Sequence, residues 1–126
     1  MNESNDPRAW IIYADEDYTL ARSALLRKKP LTHGACFHAQ QCAEKYLKAV
    51  LISKDRAFPK THDLVALTDL CIQSGVIVPI DADALDSLSE YAVRVRYPGV
   101  EPTLGEAQEA METAKLVRQY VRKLLG

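Results

Sequence analysis

The sequence predicts an all-α protein, a single five-helix up-and-down antiparallel bundle occupying residues 1–126. Apolar residues recur at helical spacing through five separate stretches, and capping residues, prolines or glycines bound each of them. The connections are short, which favours antiparallel neighbours. A chain of 126 residues has the length of one ordinary domain, and 48% hydrophobic with 26% charged side chains belongs to a globular protein rather than a disordered or fibrous one.

Asp6-Pro7 reads as an N-cap followed by proline at the first helical position. Trp10, Tyr13, Ala14, Asp17, Leu20, Ala21 and Leu25 follow largely at helical spacing, predicting a first helix over about residues 7–28. Trp10, Tyr13 and Tyr18 are expected as core and interface aromatics. Lys29-Pro30 stops this helix, and Thr32 is the expected cap of a second one that continues without Gly or Pro from Ala35 to about Asp55. After a loop containing Pro59, Thr61 or Asp63 caps a shorter helix through Leu64, Leu67, Leu70 and Cys71, ending near Ser74-Gly75. The β-branched run Val76 to Ile80 has no partner strand to satisfy its backbone, so a buried connection between helices is expected. Asp81 opens a fourth helix with Leu85, Leu88, Tyr91, Ala92 and Val95 on one face, stopped by Pro98-Gly99. Thr103 and Glu106 stand at capping-box spacing before a fifth helix through Ala107, Ala110, Ala114, Val117, Tyr120, Val121 and Leu124.

Charge selects no partner, since 16 basic residues meet 17 acidic ones; any nucleic-acid role must rest on a local patch. Met1 to Arg8 is polar, and no run of about 18 apolar residues occurs, so a cytoplasmic protein without a membrane partner is expected. Cys36, Cys42 and Cys71 are not arranged as C-x-x-C and fall in apolar periodic segments, as reduced core cysteines do. His33, Cys36, His38 and Cys42 invite a metal reading, but Cys36 and Cys42 project to the core arc and His38 to the polar one, so no metal site is expected. No cofactor is expected either. The phosphate-loop, dinucleotide, serine-hydrolase and zinc-protease motifs do not occur.

The second helix carries the most functional information. Ala35, Cys36, Ala39, Cys42, Ala43, Tyr46, Leu47, Ala49 and Val50 project onto one arc, while His38, Gln41, Lys45 and Lys48 form a polar stripe at i, i+3, i+7 and i+10 on the other, beside Gln40 and Glu44. One reading of the stripe is a solvated face stabilised by spaced charges. The other is a ligand face, on which amide, imidazole and ammonium groups meet a base edge and phosphate oxygens. His62 and Asp63 are either helix-start residues or ligand contacts. Arg94 and Arg96 read as surface and seam charges or as phosphate-binding forks, with Tyr97 offering a ring for a base to stack on.

Three motifs here resemble those of the HEPN domain family. Phe37-His38-Ala39-Gln40-Gln41-Cys42-Ala43-Glu44-Lys45-Tyr46-Leu47-Lys48-Ala49 looks like the family's signature second helix. Lys60-Thr61-His62-Asp63-Leu64 resembles the start of its next helix, and Arg94-Val95-Arg96-Tyr97-Pro98-Gly99 the end of its fourth. The resemblance spans nearly the whole chain. It implies a helical bundle that often forms a homodimer, binds nucleotide or RNA, and is commonly encoded beside a minimal nucleotidyltransferase as a toxin–antitoxin pair.

Many HEPN domains are metal-independent ribonucleases using an Arg followed four to six residues later by His near the end of the fourth helix. This sequence departs from that pattern, because no histidine follows Arg94 or Arg96, the last being His62. Arg56 and His62 have the formal spacing, but Pro59 lies between them in a predicted loop, so they do not share a helical face. The first expectation is therefore a nucleotide- or RNA-binding module using His38, Gln41, Lys45, Lys48, His62, Asp63, Arg94, Arg96 and Tyr97. Two alternatives stand beside it. One is a ribonuclease toxin with a rearranged site, in which His62 and Arg96 are the catalytic pair; the other is a dimeric scaffold that contacts protein and binds no ligand.

Overall fold

Capping chemistry sets where the helices begin. In the computed structural model, which describes residues 5–92 and 99–126, the Asp6 carboxylate accepts the Arg8 N–H at 3.0 Å and Pro7 opens α1, Pro7–Leu26. α2, Thr32–Ser53, starts differently from the expectation. Thr32 is already helical, the cap position is Leu31, and no side chain caps it. The Leu31 N–H returns to the Ala24 carbonyl at 3.0 Å, so backbone rather than a hydroxyl closes the α1–α2 turn. Of the two expected caps of α3, Leu64–Gln73, Asp63 holds the position, accepting from Val65 and Ala66 at 3.0 and 3.2 Å.

α4, Ala82–Ser89, is capped by Asp81 and tightens into a 3₁₀ turn at Glu90–Ala92. Leu85, Leu88 and Tyr91 are buried as expected. Val95, Arg94, Arg96, Tyr97 and the stop at Pro98 lie outside the described residues. α5, Leu104–Leu125, begins with the expected capping box, in which Thr103 Oγ1 takes the Glu106 N–H at 3.1 Å and Glu106 Oε1 the Thr103 N–H at 2.9 Å.

The described residues form five α-helices and no strand, with α1, α3 and α5 all packed against α2. Small side chains at the α1–α2 contact, Ala14 and Ala21 against Ala35, Ala39 and Cys42, are all fully buried and let the two axes approach closely. Tyr46, Leu47, Leu51, Leu64, Leu67, Leu85, Leu88 and Val117 fill the rest of the core. Because the other helices cover it on several sides, α2 buries far more than one arc. Gln40, Glu44 and Lys48 go inside together with the apolar residues.

Two expectations change at the periphery. Tyr13 is 59% exposed because α1 is an outer helix that buries only the stripe Ala14, Asp17 and Ala21. In the connection from α3 to α4, Val76 and Val78 are buried but Ile77 is 81% exposed, so the segment alternates in and out instead of sinking whole. The Tyr120 hydroxyl, which donates to the Ile77 carbonyl, ties that segment to α5. All three cysteines are free and buried, and burial pushes the Cys71 thiol up to about 11, which leaves it unreactive. No helix of the described residues is long and apolar enough to cross a membrane.

Two helix ends use the same device with different residues. After α3, Val76 N–H bonds to the Cys71 carbonyl at 3.1 Å and Gly75 N–H to Ile72 at 3.0 Å, the paired hydrogen bonds of a Schellman turn, with Gly75 at φ +91°. After α2, Arg56 and Asp55 repeat the pattern onto Leu51 and Ile52, but the left-handed residue is Asp55, at φ 55°. Gly75→Ala is expected to lower stability by about 1 kcal/mol and Asp55→Gly to raise or preserve it, since only glycine avoids the Cβ penalty there. Urea unfolding of the two variants checks the opposite signs.

Candidate functional site

The polar residues of α2 meet carboxylates at both of its flanks. On the α1 side, Asp17 is buried and accepts from His38 Nδ1 at 2.9 Å and from Lys45 Nζ at 2.6 Å. Towards α3, Glu44 is only 5% exposed, and three donors converge on it. Its Oε1 accepts from His62 Nδ1 at 2.8 Å and Gln40 Nε2 at 3.1 Å, and its Oε2 from Lys48 Nζ at 2.9 Å. Gln40 also donates to the His62 carbonyl at 3.1 Å and accepts from Gln41 at 2.7 Å. The Lys48 ammonium lies 5.7 Å from the Trp10 ring and 5.4 Å from Phe58, two rings that meet edge to face.

A third carboxylate, Asp15, gathers the other face of the hairpin. It accepts from the Tyr46 hydroxyl and from Arg122 at 3.0 and 3.1 Å, with Arg118 Nε at 3.6 Å. The Arg118 guanidinium stacks 4.6 Å from the Tyr18 ring centre. Burial and the bond to Asp15 together push the Tyr46 phenol well above its usual range, so it remains a donor at any ordinary pH.

Each predicted site residue among the described residues thus has a definite place. His38 and Lys45 sit on Asp17, Lys48 and His62 on Glu44, Gln41 on Gln40, and Asp63 caps α3. Arg94, Arg96 and Tyr97 fall outside the described residues. The stripe is neither a solvated face nor a row of free cations, because its lysines answer buried carboxylates. Asp15, Asp17, Gln40 and Glu44 are the anchors that sequence reasoning passed over. Asp17 carried a signal, standing at core spacing with Ala14 and Ala21.

His62 is the member that reaches outward. A carboxylate only accepts, so Nδ1 carries the proton shared with Glu44, and a ring in its neutral form leaves Nε2 as an acceptor. The side chain is 55% exposed at the rim of a cleft of about 460 Å³, which Lys60, Thr61, Asp63, Asp86 and Glu90 also line. Ser89 closes the back, accepting from Leu64 N–H at 2.9 Å and donating to the Leu85 carbonyl at 2.8 Å. Cys36 and Cys42 stay in the core while His38 faces Asp17, and among the described residues no group of three or more His, Cys, Asp and Glu is placed to hold a metal ion.

The fold and this polar seam define an all-helical bundle built around one central, internally charge-paired helix. A family model for the HEPN domain matches residues 7–124, and the chain belongs to that family. Solved structures agree with the fold. TT1696 from Thermus thermophilus superposes with a TM-score of 0.69 at 26% identity, over 95% of this chain and 98% of that one. ST0689, described as an archaeal HEPN homologue, gives a TM-score of 0.68 at 23% identity over 96% and 98%. Comparison with curated proteins gives no match.

Glu44 makes the site pH-sensitive in a definite direction. Burial raises its pKa, and the hydrogen bonds from His62, Lys48 and Gln40 lower it by more, so the carboxyl titrates below its ordinary 4.5. A depressed native pKa contributes stability that is complete above the unfolded value and is lost as pH falls through the native one. Glu44→Gln is therefore expected to cost about 3 kcal/mol at neutral pH, where it leaves Lys48 without its counter-charge. Below pH 4.5 its stability should fall less steeply than that of the wild type, which denaturant unfolding across pH 3 to 7 measures.

Proposed function

We propose that the chain is a nucleotide- or RNA-binding HEPN module, the homodimeric partner of a minimal nucleotidyltransferase in a toxin–antitoxin type pair, working in the cytoplasm. The observation that carries this reading is His62, an exposed ring held in one tautomer by a buried carboxylate at the rim of a cleft. Asp86 and Glu90 in that cleft suit the N–H groups of a base or the hydroxyls of a ribose, and Lys60 suits a phosphate. Arg94, Arg96 and Tyr97 follow Glu90 in the chain within seven residues and complete the proposed ligand set as phosphate forks and a stacking ring. His38, Gln41 and Lys45, half-buried on the outer side of α2, extend the surface, and Lys48 supports it from beneath.

Family membership supports the nucleotidyltransferase pairing, and the exposed Ile12, Tyr13 and Leu26 of α1 suit a homodimer. Titration of a fluorescent single-stranded RNA into the purified chain tests the binding reading. Wild type is expected to bind, and His62→Ala to weaken the complex by about tenfold, the loss of one hydrogen bond to the ligand. Absence of binding in the presence and absence of a coexpressed nucleotidyltransferase would leave the scaffold reading.

The His62–Glu44 pair also favours one second reading, a metal-independent ribonuclease. A carboxylate on Nδ1 with Nε2 free is the arrangement of an oriented general base. Nε2 would take the proton of a ribose 2′-hydroxyl, whose oxygen would attack the adjacent phosphorus to form a 2′,3′-cyclic phosphate; the bond to the 5′-oxygen would break, that oxygen would take a proton from water, and Arg96 would steady the charge on the phosphate. RNA incubated with the chain in EDTA separates the readings. Cleavage abolished by His62→Ala and Arg96→Ala makes the protein an enzyme, and intact RNA leaves it a binding module.

A further inference from the structure

The cations of α2 are bound to carboxylates, and those of the α1–α2 turn are not. Arg27, Lys28 and Lys29 follow one another at the exposed end of the hairpin, and none has an ion-pair partner among the described residues. Beside them lies a cleft of about 440 Å³ between the two helices, lined by Leu20, Ala24, Arg27, Leu31, Gly34 and His38. No Asp or Glu lines it, in contrast with the cleft at His62, which carries Asp63, Asp86 and Glu90. One wall is apolar, with Leu20 44% and Leu31 52% exposed, and Arg27 supplies a planar fork on the same cleft. His38 faces it with a ring already oriented, since Nδ1 is committed to the buried Asp17 and Nε2 is free to meet a ligand. At Gly34 a Cβ would touch nothing within 4 Å, so the floor is open to a ligand's close approach.

An apolar wall, a guanidinium, an oriented imidazole and two neighbouring ammonium groups, with no lining carboxylate, suit a ligand that has a flat apolar face and a negative ester. We infer that this cleft binds a nucleotide unit, its phosphate against Arg27, Lys28 and Lys29 and its base against Leu20 and Leu31. The inference rests on the nucleotide-binding reading above but assigns the phosphate contacts to a different end of α2 from the cleft at His62. The same chemistry serves a free nucleotide or a residue within a single strand.

The test is an amide chemical-shift titration of the full chain with uridine 5′-monophosphate and, separately, with an oligouridylate of about ten residues. Shifts at residues 23–38 with both ligands are expected, and they should persist in His62→Ala. Affinity for the oligonucleotide falls more than tenfold in Arg27→Glu/Lys28→Glu/Lys29→Glu, and the slope of log affinity against log salt flattens by about 2, three contacts at ~0.7 each. The three side chains are exposed, so an unchanged thermal midpoint is expected to accompany that loss. Stronger binding of the oligonucleotide than of the monophosphate assigns a strand, and equal binding a free nucleotide. Shifts confined to the cleft at His62, with the triple variant binding as wild type does, overturn this site while sparing the nucleotide-binding reading. No shift with either ligand overturns both.

Discussion

A helix enclosed by the other helices has to satisfy every polar group it brings inside, and α2 brings in Gln40, Glu44 and Lys48. Each would cost several kcal/mol if buried alone. The solution is one carboxylate with both oxygens occupied, by an ammonium from its own helix, an imidazole from the loop before α3 and an amide one turn earlier. Glu44 therefore ties the packing of α2 to the conformation of the chain at His62. It also explains why the His62 ring stands where it does, since the carbonyl of the same residue accepts from Gln40.

The same logic recurs at the other seams. Asp17 links α1 to α2 through His38 and Lys45, and Asp15 links α1 to α2 and α5 through Tyr46, Arg118 and Arg122. Apolar packing supplies most of the free energy of such a bundle but tolerates sliding of one smooth helix on another. The Ala- and Cys-rich contact between α1 and α2 is smooth in this sense. Carboxylates with partners on a second helix oppose a slip, because a shift of one turn would leave a charge buried without its counterpart. Exposed pairs such as Arg8–Asp6 carry no comparable weight.

Most of the fold was legible because its signals are local. Asp6-Pro7, Asp63, Asp81 and the Thr103–Glu106 box each report a helix start within four residues of sequence, and the structure has all of them. Thr32 misled for a corresponding reason, since the Ala24 carbonyl that closes the turn is a tertiary partner that no cap rule registers. Periodicity likewise marks a face without saying how wide a stripe the neighbour covers, so it did not tell that Tyr13 stays outside the core of the chain. The three motifs resembling HEPN identified the family, yet the state of His38, Lys45 and His62 depended on partners 18 to 28 positions away, Glu44 for His62 and Asp17 for the other two. A single helical projection carries no information about them.

Those partnerships also decide which surfaces of the bundle have positive charge to give to a ligand. A phosphate approaching Lys45 or Lys48 competes with a carboxylate oxygen already 2.6 or 2.9 Å from the ammonium. Capturing the cation would strand Asp17 or Glu44 in a nearly water-free position, a penalty that exceeds what one phosphate contact returns. A cation with no partner among the described residues, at the α1–α2 turn or at Lys60, gives its charge at little cost beyond the ordering of its own side chain. The interior of this helix is thus the frame that orients His38 and His62, and the anion recognition proposed above would fall to the rims that the frame leaves unpaired.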